Sequence, residues 1–180
     1  MTLEEMKQKV YALIEEYSED AENLTEDEDL ALKMNGVINQ VQNELARMKK
    51  IDAYTTVEAT EGTTINFKDI DNMFYQLNIV QGLDCEIIGQ MIKFNESGKA
   101  DVFYYKYPTQ INEDTDDSQE LDLSIDALEI MPYGVAADLL KSDVSSNYGQ
   151  IYENRYRQMI NELDPRSAMG SVYIEGSINI

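Results

Sequence analysis

The hydrophobic period of this chain changes twice along its length, and no other feature constrains the fold as tightly. Up to about Lys50 apolar residues recur every three or four positions, as one face of a helix requires. Leu3, Met6, Val10, Leu13, Ile14 and Tyr17 make one stripe; Leu30, Met34, Val37, Ile38, Val41, Leu45 and Met48 make a second. Thr2 with Glu5, and Thr25 with Glu28, have the spacing of a capping box, in which hydroxyl and carboxylate each satisfy a free amide at a helix start. Two helices are therefore predicted, joined by a turn within the acidic run from Glu15 to Asp29. Acids at the start of the second helix and Arg47, Lys49 and Lys50 at its end suit the helix dipole.

From about Ile51 to Tyr107 the chain turns to Thr, Ile, Val, Phe and Tyr with glycine-containing turns, the chemistry of strands. Gln90 to Phe94 and Ala100 to Tyr107, flanking Asn95-Glu96-Ser97-Gly98, read as a hairpin, with Gly98 free to adopt the left-handed conformation. Val102, Phe103, Tyr104, Tyr105 and Tyr107 make the second strand apolar on both faces, which predicts a cover over each. Thr63 to Phe67, Phe74 to Val80 and Cys85 to Ile88 are further strand candidates. Pro108 ends the run, and Glu113 to Asp122 carries six acids and no base, an exposed loop with a short extension at Glu120 to Leu123.

The helical period then returns in DALEIMPYGVAADLLK, where Pro132 should kink or restart the helix. A fourth helix is predicted from about Tyr148 to Leu163, with the stripe Ile151, Tyr152, Tyr156, Met159, Ile160 and Leu163, stopped by Pro165. The fold class that follows is α+β. Residues 1–50 and 124–164 build one helical lobe from both chain ends, residues 51–123 an inserted antiparallel β lobe, and residues 165–180 a C-terminal extended arm. Within that arm Val172, Ile174, Ile178 and Ile180 alternate with Tyr173, Glu175, Ser177 and Asn179, a period of two that gives a strand one apolar face.

Charge limits the partners. Thirty-five acidic residues face 14 basic ones, a net charge of −21 in 180 residues. Affinity for nucleic acid comes largely from Lys and Arg displacing counterions, so tight wrapping on DNA or RNA is opposed, as is a polybasic membrane anchor. Solubility, repulsion of DNA and contact with a basic protein remain. MTLEEMKQKV has no continuous apolar core, so it does not read as a signal peptide, and a single cysteine, Cys85, fits a reducing compartment.

Chemistry is sparse. With no histidine there is no Ser-His-Asp arrangement and no imidazole to activate Cys85, which reads as a buried strand residue. P-loop, GxGxxG and GxSxG motifs are lacking. The carboxylates cluster in solvated runs, whereas acid–base pairs need contrasting environments. Aligning Asp114 and Asp116 with a calcium loop puts Gln119 where glycine is required and Ile125 where the bidentate glutamate belongs. No catalytic, cofactor-binding or metal-ligating residue is assigned, and the chain is expected not to be an enzyme. Tyr148, Tyr152 and Tyr156 form an i, i+4 ladder that fits core packing or a subunit interface, where tyrosine is enriched. The candidate partner-interface residues are therefore Val172, Tyr173, Ile174, Ile178 and Ile180 in the arm, and Tyr148, Tyr152 and Tyr156 on the fourth helix.

GKADVFYYKYPTQI, ALEIMPYGVAADLL and NYGQIYENRYRQMINEL together resemble the head–tail adaptor (connector, neck) proteins of tailed bacteriophages. The similarity spans about Ala100 to Leu163: a strand ending in Tyr-Tyr-basic-aromatic-Pro, a Pro-Tyr-x-Val-Ala helix, then a Tyr-x-x-x-Tyr helix and an arm. Gly134 stands where that pattern has a larger residue. The resemblance implies a virion structural protein forming a ring that joins the capsid portal to the tail and lets DNA pass without tight binding. Its partners would be the portal protein, other copies of itself and tail or stopper proteins, with no membrane; it would sit in the host cytoplasm during assembly and then in the virion neck. No catalytic residues or cofactors are implied. An acidic DNA-mimic inhibitor of a nucleic-acid-binding protein is the rival expectation.

Overall fold

The computed structural model describes residues 1–15, 28–142 and 147–163. The Thr25–Glu28 capping box and the arm residues Val172, Tyr173, Ile174, Ile178 and Ile180 lie outside the described residues. The fold is α+β, with helices before and after a pair of antiparallel sheets.

Helix α1 (Leu3–Glu15) opens on the expected box: Glu5 N donates to Thr2 Oγ1 at 3.2 Å and Thr2 N to Glu5 Oε2 at 3.0 Å. Helix α2 (Glu28–Met48) follows, and after the strands come α4 (Ile125–Leu139), a short 3₁₀ turn (Leu140–Ser142) and α5 (Tyr148–Glu162). α4 is apolar on nearly every side, and a helix of that composition belongs in the middle of a bundle. It packs against α1, α2 and α5, burying Ala127, Leu128, Ile130, Met131, Val135, Ala136 and Ala137. The restart allowed for at Pro132 does not occur. α4 runs through it, and the ring sits buried where the missing amide forfeits one helical bond. The Lys49–Asp126 ion pair ties the end of α2 to the start of α4.

The strands form two three-stranded sheets. One has the order β1 (Ile51–Ala59), β6 (Gly98–Lys106), β3 (Phe74–Gln81); the other β2 (Thr64–Asn66), β5 (Met91–Phe94), β4 (Cys85–Ile88). A four-residue helix, α3 (Phe67–Ile70), follows β2. Inner faces of both sheets share one core containing Ile92, Phe94, Ala100, Val102 and Tyr104. The expected hairpin between Gln90–Phe94 and Ala100–Tyr107 is thereby corrected, because those strands lie in different sheets. Both edges of β6 are taken, by β1 from Ile51↔Lys106 to Ala59↔Gly98 and by β3. β5 pairs instead with β4 across Gly89-Gln90, where Gly89 has φ 62°, the sign that the first central residue of a type II′ turn requires.

The β lobe also ends sooner than residue 123. Ile111, Leu121 and Leu123 are buried in the helical core, so residues 108–123 form a strap across the helices. Asn39 holds it as a neighbouring strand would: its Nδ2 donates to the Ile111 carbonyl at 2.7 Å and its Oδ1 accepts from Ile111 N at 2.8 Å. Buried Gln42 donates to the Thr109 carbonyl at 2.9 Å. Further along, Thr2 and Glu120 form an antiparallel bridge, with Leu3 N donating to the Gln119 carbonyl and Leu121 N to that of Met1. The strap is therefore stitched to the first residues of the chain.

Candidate interaction surface

The tyrosines of α5 separate by position. Tyr152 and Tyr156 are buried, and their hydroxyls fasten α5 to two other helices: Tyr152 donates to the Leu13 carbonyl at 2.7 Å and Tyr156 to Glu44 Oε2 at 3.0 Å. Burial, then the neighbouring Glu44 carboxylate, push the Tyr156 phenol far up. As partner-interface residues these two are corrected to core residues, since one face of α5 points inward and both tyrosines lie on it. Tyr148, one turn earlier, is exposed, with its ring 6.4 Å from that of Tyr152. Ile151, also assigned to the inward stripe, is exposed as well.

A cleft of about 420 Å³ lies between α2, α4 and α5, and its acids are already engaged. Glu44 takes the Tyr156 hydroxyl, Glu153 accepts from Arg157 Nε at 2.6 Å, and Asp138 from Lys141 Nζ at 3.4 Å. In the acidic loop two carboxylates turn back on the chain: the Ser118 side chain, and then its amide donating to Asp116 Oδ1, hold the Asp116 carboxyl low, and Asp117 pairs with Lys7 at 2.7 Å. Among the described residues no group of three or more His, Cys, Asp or Glu side chains is placed to hold a metal ion. The Cys85 thiol is half-buried, and burial followed by the Asp84 charge pushes it up, away from the reactive thiolate. No helix of the described residues is long and apolar enough to cross a membrane.

What stands out on the surface is apolar and lies on the β lobe. In the β1–β6–β3 sheet, alternation sends Ala100, Val102 and Tyr104 inward and Asp101, Phe103 and Tyr105 outward. A cover over each face was expected; the inner face has one, and among the described residues the outer face has none. Across it the register Tyr54↔Phe103↔Ile79 aligns one side chain from each strand into an apolar row. Tyr54 is 71% exposed and Ile79 41%, and the Tyr54 and Phe103 rings stack at 5.8 Å. Beside the row, Lys50 Nζ sits 4.4 Å from the centre of the Tyr105 ring and donates to Gln76 Oε1. A second exposed group, Ile87, Ile88 and Met91, lies on the β4–β5 hairpin.

The row was missed in the sequence because Tyr54 sits among polar neighbours in IDAYTTVEA. Its signal was the doubly apolar β6, which could equally have meant a fully buried strand. No protein-family model matches the chain, and no curated protein matches it either.

Proposed function

We propose that this chain is a non-enzymatic virion structural protein, a head–tail adaptor that forms a ring joining the capsid portal to the tail of a tailed bacteriophage. The observation that carries this reading is where the resembling segments fall. GKADVFYYKYPTQI is the central strand β6 with its exit, ALEIMPYGVAADLL is the central helix α4, and NYGQIYENRYRQMINEL is α5, which is bolted to α1 and α2. The likeness thus falls on the elements around which both lobes are organised. Exposed apolar side chains grouped on the β lobe suit a subunit whose work is contact with other chains. A net charge of −21, repeated around a ring, would repel phosphates and leave DNA free to pass.

On this reading the subunit assembles in the host cytoplasm and ends in the virion neck, where its partners are the portal protein, further copies of itself and tail or stopper proteins. Residues 165–180 dock against a partner by strand addition, main-chain hydrogen bonds supplying affinity and alternate side chains register. The test is co-sedimentation of the purified chain with the portal oligomer of the same phage. The full chain should travel with the portal, and deletion of residues 171–180 should abolish this while leaving the thermal midpoint unchanged. A chain that ignores the portal yet strips a DNA-binding protein from duplex DNA overturns the reading in favour of a DNA mimic.

A further inference from the structure

The geometry points to a second copy of this chain as the partner of the open β1–β6–β3 face, the two sheets stacked face to face about a two-fold axis lying along the Tyr54–Phe103–Ile79 row. A two-fold pair is closed and does not propagate. It is therefore a state of the free subunit, independent of ring formation.

Three observations carry this. The first is charge. Copies of a chain at −21 repel one another over most of their surface. On this face, however, Asp52, Glu58 and Asp101 are set against Lys50 and Lys99, so it is nearly neutral around an apolar centre. Like copies can approach here at less electrostatic cost than across the acidic parts of the surface.

The second is complementarity under the symmetry. An axis along the row lays Tyr54, Phe103 and Ile79 on their own counterparts. It also exchanges the two flanking registers, Asp52↔Tyr105↔Gln76 and Thr56↔Asp101↔Gln81. Lys50, held over Tyr105, then comes opposite Asp101 of the other copy, and the symmetry makes that ion pair twice. An axis along the strands would instead put Lys99 over Lys99.

The third is area. Three strands about 4.8 Å apart and eight or nine residues long, at about 3.3 Å per residue, present roughly 400 Å² per partner. A standard stable interface buries about 800 Å² per side. The pair therefore belongs to the weak, concentration-dependent class.

Sedimentation equilibrium of the full chain up to about 1 mM, in salt that screens its charge, tests this. The mass should rise from 20.6 kDa toward twice that value and no further. Ile79→Lys and Tyr54→Glu should hold it at the monomer value with unchanged thermal midpoints. Lys50→Glu and Asp101→Lys should each weaken pairing about tenfold, and their combination should restore it to within about threefold. A wild-type chain that stays monomeric, or that grows past a dimer, overturns the proposal. So does Ile79→Lys pairing like wild type, or a charge swap that fails to rescue. Portal co-sedimentation is read separately, so neither result decides the other.

Discussion

The ring of Tyr156 lies on the bare backbone of Gly134: a β-carbon at that glycine would stand 2.7 Å from Tyr156 Cε2 and 3.0 Å from two neighbouring ring atoms. This close approach explains why a glycine occupies the middle of a helix that is otherwise densely apolar. It also lets the Tyr156 hydroxyl reach Glu44 on α2.

Gly134→Ala should therefore destabilise the fold by about 1–3 kcal/mol, the cost of overpacking a filled core. Gly36, on α2, has nothing within 4 Å of such a carbon, and Gly36→Ala should stabilise by about 0.5–1 kcal/mol. Calorimetry should show midpoints moving in opposite directions, by about 2–4 °C per kcal/mol in a chain of this size. Two shifts of the same sign would contradict the packing described.

Asn39→Ala removes both partners of the Ile111 backbone at once. Leaving buried polar groups unpaired costs about 1–3 kcal/mol. A lower urea midpoint and faster hydrogen exchange at the Ile111 amide are expected. Unchanged exchange there would mean that the strap is held by something other than Asn39.

Asp122 gives the strap an acid-sensitive anchor. Burial alone would raise its carboxyl, but the Thr109 hydroxyl and amide, with Lys106 at 3.3 Å, outweigh burial and lower it. A depressed folded value stabilises above the unfolded value of about 3.9 and is lost as pH falls through the folded one. The midpoint difference between wild type and Asp122→Asn should therefore be full near neutrality and shrink below about pH 4. A difference that stays constant with pH would show that the carboxylate charge is not what matters.

Two tyrosines should titrate late. Burial, then the hydrogen bond to Asp71 at 2.9 Å, push the Tyr104 phenol up to about 12, and Tyr156 is raised further by burial and Glu44. A raised folded value stabilises fully below the unfolded value of about 10 and is lost as pH climbs through the folded one. Of the twelve tyrosines, absorbance near 295 nm should report at least two that ionise only in strong alkali or together with unfolding. Tyr104→Phe should remove one of them.

Helices were legible wherever apolar side chains recurred at helical spacing, with or without a side-chain cap. Thr2 and Glu5 close their box, and α5 begins at the expected Tyr148. Strand existence was legible too, except for β1, whose IDAYTTVEA carries only modest apolar weight. Pairing was not legible. Which strand fills the edges of β6 depends on contacts 20 to 55 residues apart, from Gln81 with Asp101 to Ile51 with Lys106, and the local Asn95–Gly98 turn favours the wrong neighbour. The strap was hidden for a related reason. Ile111, Leu121 and Leu123 are scattered in an acidic segment, and it is Asn39 and the N-terminus that draw them inward. For the candidate surface, the ladder spacing of Tyr148, Tyr152 and Tyr156 was visible, but spacing cannot say which side of a helix faces in.

The bolt between Tyr152 and Leu13 spans 139 residues, which sets a timetable for synthesis. A ribosome adding about 5–20 residues per second releases α1 roughly 7–30 s before its bolt is made. The β lobe, by contrast, has all six strands between Ile51 and Lys106. We expect that lobe to close first, while α1 and α2 wait with their apolar stripes exposed. Brief proteolysis of ribosome-bound chains stalled near residue 140 should leave a protected fragment covering the strands and cut α1. Equal protection of α1 at that length would mean that the helical lobe closes without its last helix.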